Sequence, residues 1–250
     1  MHRFFTPQEN ISAGKIEILE RDTVHHIKDV LWLKVGQEVI IFDEYMNEYR
    51  AGIETLSDNA IKLKINEALP KSNADKLRIT IACAIPKKSK FDDIVDKLVQ
   101  LGVGRIIPMI TERVIIKLDK HKEASRKVRW EKIALNASEQ SKRSGLVVID
   151  APTSINDVIA NSSGFGLKLI PTLKGKRRSL REVFNQSLPV PLSLPLSILI
   201  LIGPEGDFAE REVALAVNSG FIPVSLGKEV LRVETAAVAV ASFIKFYEND

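Results

Sequence analysis

Ile198-Leu199-Ile200-Leu201-Ile202 runs without a polar side chain straight into Gly203-Pro204-Glu205-Gly206-Asp207-Phe208, and a helical pattern follows from about Glu210 to Asn218. Five consecutive branched apolar residues are too few for a helix and fit a strand buried on both faces. Strand, glycine-bearing turn and helix together make one unit of an α/β sheet. Working outward, residues 77–83, 106–110, 147–149, 167–170 and 223–226 read as further strands. Helices are expected at 91–101, from about 122 to 143, near 154–160 and 179–185, and from 234 to 247. The first of these has apolar residues at Phe91, Ile94, Val95, Leu98 and Val99 and stops at Gly102, as a glycine in the left-handed region stops a helix. The alternation predicts an α/β domain on a mostly parallel sheet.

The residues before it follow another pattern. Segments 38–42, 49–53 and 61–65 alternate or run apolar between turn formers such as Ser57-Asp58-Asn59, which predicts short antiparallel strands in a small β-barrel or sandwich. A helical piece around 24–33 interrupts them. The polar, proline-bearing stretch Pro70-Lys71-Ser72-Asn73-Ala74-Asp75 reads as the linker. The expected division is therefore a β-barrel over 1–72 and an α/β domain over 73–250.

Composition narrows the function. Of 250 residues 45% are hydrophobic and 27% charged, the balance of a soluble globular protein. The single cysteine, Cys83, excludes an internal disulfide framework and a cysteine-based zinc cluster. The adjacent pair His25-His26 makes a poor metal clamp, because neighbours on a helix point apart; no metal is expected. The N-terminus lacks the apolar run of a secretory signal. Residues 183–204 carry no charge but are broken by Pro189, Pro191 and Pro195, so no membrane helix is expected there. No dinucleotide G-x-G-x-x-G, P-loop, H-E-x-x-H or G-x-S-x-G occurs in the right context, which removes the main signals for hydride transfer, NTP hydrolysis and zinc or serine hydrolysis. Residues 113–143 hold ten Lys/Arg against four Asp/Glu, and 168–181 hold six Lys/Arg and no acid. Two basic stretches on an otherwise acidic chain suggest a polyanion surface, although either alone reads equally as a solvated face.

Two loops at expected strand ends carry chemistry. Ligands in open α/β sheets bind beside the carboxyl ends of strands. Gly203 and Gly206 permit close approach of backbone to a ligand, and Pro204 stiffens the turn; a plain strand-to-helix turn explains the same residues. The second loop, Leu226-Gly227-Lys228-Glu229-Val230-Leu231-Arg232-Val233-Glu234-Thr235-Ala236, enters a helix of small side chains, which by itself also fits an alanine-rich core helix.

Taken together, Gly203-Pro204-Glu205-Gly206 and, about twenty residues later, Leu226-Gly227-x-x-Val230-Leu231-Arg232-x-Glu234-Thr235-Ala236 resemble the small-subunit ribosomal RNA uridine-N3 methyltransferases (RsmE-type), of the trefoil-knotted SPOUT class. Further matches in the family's order are His2-Arg3-Phe4-Phe5, His26-Ile27 with Val30-Leu31, Lys97 with Leu101-Gly102-Val103, Thr111-Glu112-Arg113, and Trp130 with Glu139-Gln140-Ser141 and Arg143. The resemblance spans essentially the whole chain and is most specific in the two C-terminal motifs. It implies a PUA-like RNA-binding barrel, a knotted α/β methyltransferase domain, a cytoplasmic homodimer, and S-adenosylmethionine bound partly bent in the knot with the active site near the dimer interface. It also implies 16S ribosomal RNA, within the small ribosomal subunit, as substrate. The chain departs from the family at Asp207 (usually glycine), Glu229 (commonly arginine), Val233 (commonly threonine), Gln100 (usually glutamate) and Trp32 (usually arginine).

Carried over residue by residue, the resemblance places the backbone around Leu226, Gly227, Val230 and Leu231 at the adenine and Gly203 and Gly206 near the rest of the cofactor, with Thr172 and Leu173 closing the third side and Pro204, Glu205 and Thr235 as further cofactor contacts. Arg232 is the candidate for stabilising the uracil anion, against a structural ion pair with Glu234 or Glu205. Glu139 and Arg143 are candidates to approach the substrate from the basic helix. Arg3, Arg113, Lys176, Arg177 and Arg178 are the expected RNA contacts. Two other readings fit the same residues: a non-catalytic RNA-binding or ribosome-assembly protein, and a methyltransferase of the same fold acting on another RNA.

Overall fold

The computed structural model describes residues 1–70, 77–86, 90–113, 120–143, 145–187 and 195–249. The expected linker after Pro70, with the 72/73 boundary, lies outside them, as does the middle of the uncharged 183–204 stretch. Contacts group the chain into two units, Met1–Asn73 with Ser138–Leu146, and Ala74–Ala137 with Val147–Asp250.

The first unit is one six-stranded sheet. Its elements are β1 (Arg3–Phe5), β2 (Ile11–Ser12), β3 (Lys15–Ile18), α1 (Arg21–His25), β4 (Glu38–Phe42), β5 (Glu48–Leu56) and β6 (Ile61–Leu69). The order is β1-β4-β5-β6-β3-β2, antiparallel except for the parallel pair β1–β4. Alternation along β3 and β6 turns Ile16, Ile18, Ile61 and Leu63 inward, where they meet Phe4, Val39 and Ile41. The helical turn α1 continues into a wider π-type turn over His26–Val30, and Val24 and Ile27 from this segment join the same core.

The second unit is built on an eight-stranded sheet in which every pairing is parallel. Its elements are β7 (Leu77–Ala84), α2 (Lys90–Gln100), β8 (Arg105–Ile110), α3 (Lys120–Gln140), β9 (Val148–Ile149), β10 (Thr153–Ser154), α4 (Ile155–Ala160), β11 (Leu167–Pro171), β12 (Arg178–Ser179), α5 (Leu180–Ser187), β13 (Leu196–Ile202), α6 (Glu210–Asn218), β14 (Ile222–Ser225) and α7 (Val233–Asn249). The order is β10-β8-β7-β13-β11-β14-β12, with β9 also on β8.

The apolar runs exist because both faces of this sheet are covered. Along β13, Ile198, Ile200 and Ile202 point into one core with α2, α3, α5 and α7, while Leu199 and Leu201 point into a second core with α4 and α6. On the first face Trp130 of α3 packs on Phe91 of α2 with ring centroids 4.6 Å apart, and its Nε1–H donates to Asp92 at 3.1 Å. Gly102 ends α2 at φ +86°. Cys83 is fully buried mid-sheet, and burial, helped by Glu234 and Glu205, pushes its thiol far above the ordinary range; it is chemically inert. Among the described residues no helix is long and apolar enough to cross a membrane.

Strand order places the site. The late strand β13 inserts between β7 and β11, and β14 inserts between β11 and β12. The carboxyl ends of β11, β13 and β14 therefore lie side by side, and the loops leaving them face one another.

Candidate cofactor cleft

Those three loops line one open cleft. Pro171, Thr172 and Leu173 come from the end of β11, Ile202 to Glu205 with Asp207 from β13, and Leu226, Gly227, Glu229, Val230 and Leu231 from β14. Arg177, Val233 and Ala236 complete the lining. Nine of the residues expected to hold a cofactor thus converge: Thr172, Leu173, Gly203, Pro204, Glu205, Leu226, Gly227, Val230 and Leu231. Gly206 and Thr235, both exposed, are not among the lining residues.

Two glycines are required, for different reasons. A Cβ at Gly203 would sit 2.8 Å from the Phe208 ring, so packing beneath the loop excludes a side chain there, whatever a ligand needs. Gly227 has φ +129° with no near clash, its Cβ position being 3.6 Å from Glu229 Oε2. Backbone conformation, rather than space, demands glycine at that turn.

The loop after β13 is braced from several sides. Arg113 Nη1 donates to the Gly206 carbonyl and, at 3.3 Å, to that of Asp207. Buried Glu212 accepts from the Ala209 N–H and the Glu112 N–H, both at 2.8 Å, tying the start of α6 to the exit of β8. Asp207, buried at φ +60°, accepts from Thr172 Oγ1 and the Leu173 N–H. Charge-assisted hydrogen bonds of this kind are roughly twice as strong as neutral ones. None of these bracing roles is visible in a residue count.

Several expected RNA contacts have partners within the protein. Arg3 forms a half-buried ion pair with Glu48 and lies over the Phe42 ring. Arg113 braces the loop just described. Arg177 is on the cleft wall, where Nη1 donates to the Thr172 carbonyl at 3.0 Å. Arg178 bonds Gln186, Lys174 pairs with Glu210 at 3.2 Å, and Lys168 donates to the Ser219 carbonyl at 2.6 Å. Lys176 is exposed. Glu139 and Arg143 group with the N-terminal unit. There Glu139 Oε1 accepts from the Phe5 N–H at 3.0 Å, and burial raises its carboxyl pKa against that bond.

Arg232 is exposed at the start of α7. Among the described residues no hydrogen bond or ion pair engages its guanidinium, and Glu234 is taken by Lys90 Nζ at 3.2 Å. Burial pulls the Glu234 carboxyl upward, but its backbone N–H bond, Lys90 and the charge of Arg232 bring it below the ordinary value. Of the departures, Glu229, Val233 and Asp207 line the cleft, Gln100 bonds Asp96 at 2.8 Å, and Trp32 is 76% exposed at φ +54°. Nothing in the structure explains the strained conformation of Trp32.

A parallel α/β unit with an open cleft where three strands end is thus joined in one chain to a small, mostly antiparallel sheet. Residues 73–245 match the RNA methyltransferase domain and residues 19–66 the RNA methyltransferase PUA domain. The chain belongs to the RNA methyltransferase family that includes ribosomal RNA small subunit methyltransferase E. It is 34% identical to that enzyme of Mesomycoplasma hyopneumoniae, over 95% of this chain and 96% of the relative. It is 32% identical to that of Synechocystis, over 90% of this chain and 72% of the relative. A solved putative methyltransferase of Legionella pneumophila in complex with bound S-adenosylmethionine superposes with TM-score 0.85 at 30% identity, covering 98% of this chain and 97% of that one. The small subunit methyltransferase E of Neisseria gonorrhoeae, also bound to S-adenosylmethionine, gives TM-score 0.85 at 28% identity, covering 99% and 98%.

Proposed function

We propose that this protein methylates N3 of a uridine in 16S ribosomal RNA, using S-adenosylmethionine held in the cleft between the ends of β11, β13 and β14. The observation that carries the reading is the convergence of both C-terminal motifs on one cleft. The lining fits the cofactor chemically. Leu226, Val230, Leu231, Val233 and Ala236 offer an apolar slot for a flat base, and the exposed carboxylates Glu205 and Glu229 suit a ligand with cationic groups. When bound, the cofactor supplies an electrophilic methyl on a sulfonium.

The remaining chemistry belongs to the chain. Uracil N3 must lose its proton and lie in line with the methyl group, and holding the reactants so can supply much of the rate enhancement. Cationic Arg232, exposed at the mouth of α7, favours the deprotonated imide. Because N3 lies on the pairing edge, the target base is presented unpaired. Residues 1–72 serve as the RNA-binding module and 73–250 as the methyltransferase domain.

Segment 172–177 joins β11 to β12, which pair with opposite edges of the later strand β14; this non-sequential insertion supports a threaded, trefoil-type topology. Exposed Phe246 on α7, in line with the small exposed residues Thr235 and Ala239, supports a homodimer. The protein acts in the cytoplasm on the small ribosomal subunit. A non-catalytic RNA binder has no need of the cleft.

Mass spectrometry of ribosomal RNA nucleosides is expected to lose N3-methyluridine from the 16S fraction when the gene is deleted and to regain it on complementation; an unchanged nucleoside profile refutes the assignment. Calorimetry is expected to give S-adenosylmethionine binding that survives a chelator. RNA affinity is expected to fall steeply with salt, since Lys/Arg contacts release counterions. Because Arg177 also lines the cleft, the clean variant neutralises Lys176 and Arg178 alone. It should lower the log–log salt slope by about one to two, and an unchanged slope would make this stretch a solvated face.

A further inference from the structure

The two cofactor loops part where the sheet ends. Leu169 pairs with Ile200, so β11 and β13 stop level with each other at Pro171 and Ile202. Beyond them the ladder no longer holds the chain, and one buried side chain spans the gap. Asp207 Oδ2 accepts from Thr172 Oγ1 at 3.0 Å and from the Leu173 N–H at 2.9 Å. Its Oδ1 accepts from the Phe208 N–H at 2.9 Å. Asp207 and Thr172 are both buried, and Asp207 has φ +60°. Glycine occupies that conformation without strain, and aspartate is among the few side chains that tolerate it.

We infer that Asp207 is a positioning residue, a clasp that fastens the loop after β11 to the loop after β13 and so sets the width of the cleft before the cofactor enters. The inference rests on the reading of this cleft as the S-adenosylmethionine site. Glycine at this position would satisfy the backbone and leave only the exposed Lys174–Glu210 ion pair to tie this loop to the start of α6. In this chain the aspartate accepts a conformational cost and contributes a bifurcated, charge-assisted bond across the cleft wall. Leu173, exposed at 45%, has little packing to hold it otherwise. A wall ordered in advance spares the binding step the cost of ordering it. The clasp acts through Thr172 and Leu173, so its loss is read first in cofactor affinity and in the order of that loop.

The test compares Asp207→Gly and Asp207→Asn by calorimetry with S-adenosylmethionine, thermal melting, and amide exchange of residues 172–177 in the ligand-free protein. In Asp207→Gly, relief of the backbone offsets the lost hydrogen bonds, so melting should stay within a few degrees. Affinity should fall about tenfold or more, by more than the change in melting accounts for, and 172–177 should exchange faster. Asn tolerates the same conformation and keeps one acceptor oxygen, so Asp207→Asn should recover most of the affinity. Unchanged affinity in Asp207→Gly, or affinity lost only in step with melting temperature, overturns the clasp. If the wild-type protein binds no S-adenosylmethionine, the functional reading fails, and exchange still decides the clasp: faster in Asp207→Gly supports it, unchanged exchange overturns it.

Discussion

Arg232→Ala is expected to lower single-turnover methyl transfer by about 100- to 1,000-fold, the usual effect of removing one donor from an anion-stabilising site, with cofactor affinity nearly intact. The guanidinium is exposed at the start of α7 and is engaged by no ion pair or hydrogen bond among the described residues. The pairing with Glu234 that would make it structural is taken by Lys90. Its charge is felt by Glu234 without a direct bond, which leaves its donors open to a group that becomes negative as uracil N3 loses its proton, an interaction that strengthens on the way to the transition state. Arg232→Lys, which keeps charge but not the planar fork, should fall between the two. A melting curve separates the alternatives: near-normal turnover in a destabilised protein would return Arg232 to a structural role.

Gly227→Val is expected to weaken S-adenosylmethionine binding by about 100-fold or more while the protein still folds. At φ +129° a residue with a Cβ is strained by roughly 1–3 kcal/mol, and each 1.4 kcal/mol is tenfold in affinity. The β-branched side chain adds bulk at a position lining the cleft. Because residues 227–230 are exposed, the loop can refold locally instead of straining the sheet, so melting should drop by only a few degrees. Gly227→Ala isolates the backbone contribution and should show a smaller loss. Normal binding by Gly227→Val would place the adenine elsewhere.

The long strands were legible because burial on both faces leaves continuous apolar runs, as in β7 and β13, and α2 was legible because its apolar residues recur on one face. The two-residue strands β2, β10 and β12 leave no period to read, and β9 is legible only as the short apolar run 147–149. Strand order was also closed to local reasoning: nothing in residues 196–202 says that their neighbours are 77–83 and 167–169. In the cleft, glycine chemistry and the family pattern pointed to Leu226, Gly227, Val230 and Leu231. Pro171, Ile202 and Arg177 reach it through topology. Formal charge misleads in a specific way, since it counts Arg3 and Arg113 as available cations when the fold has given both of them partners.

The pairing of β7 with β13 sets a timetable for synthesis. β7 acquires β8 on one edge soon after it is made, but its other edge waits for residues about 120 positions further along the chain. At about 5–20 residues per second that is roughly 6 to 24 s. Throughout it, a strand with Ile79, Ile81, Ala82 and Cys83 destined for full burial presents an unpaired backbone edge, a ready template for another nascent chain. A polypeptide stalled before Leu196 never closes that edge, so ribosome pausing in the second half of the message is more hazardous for this protein than pausing in the first.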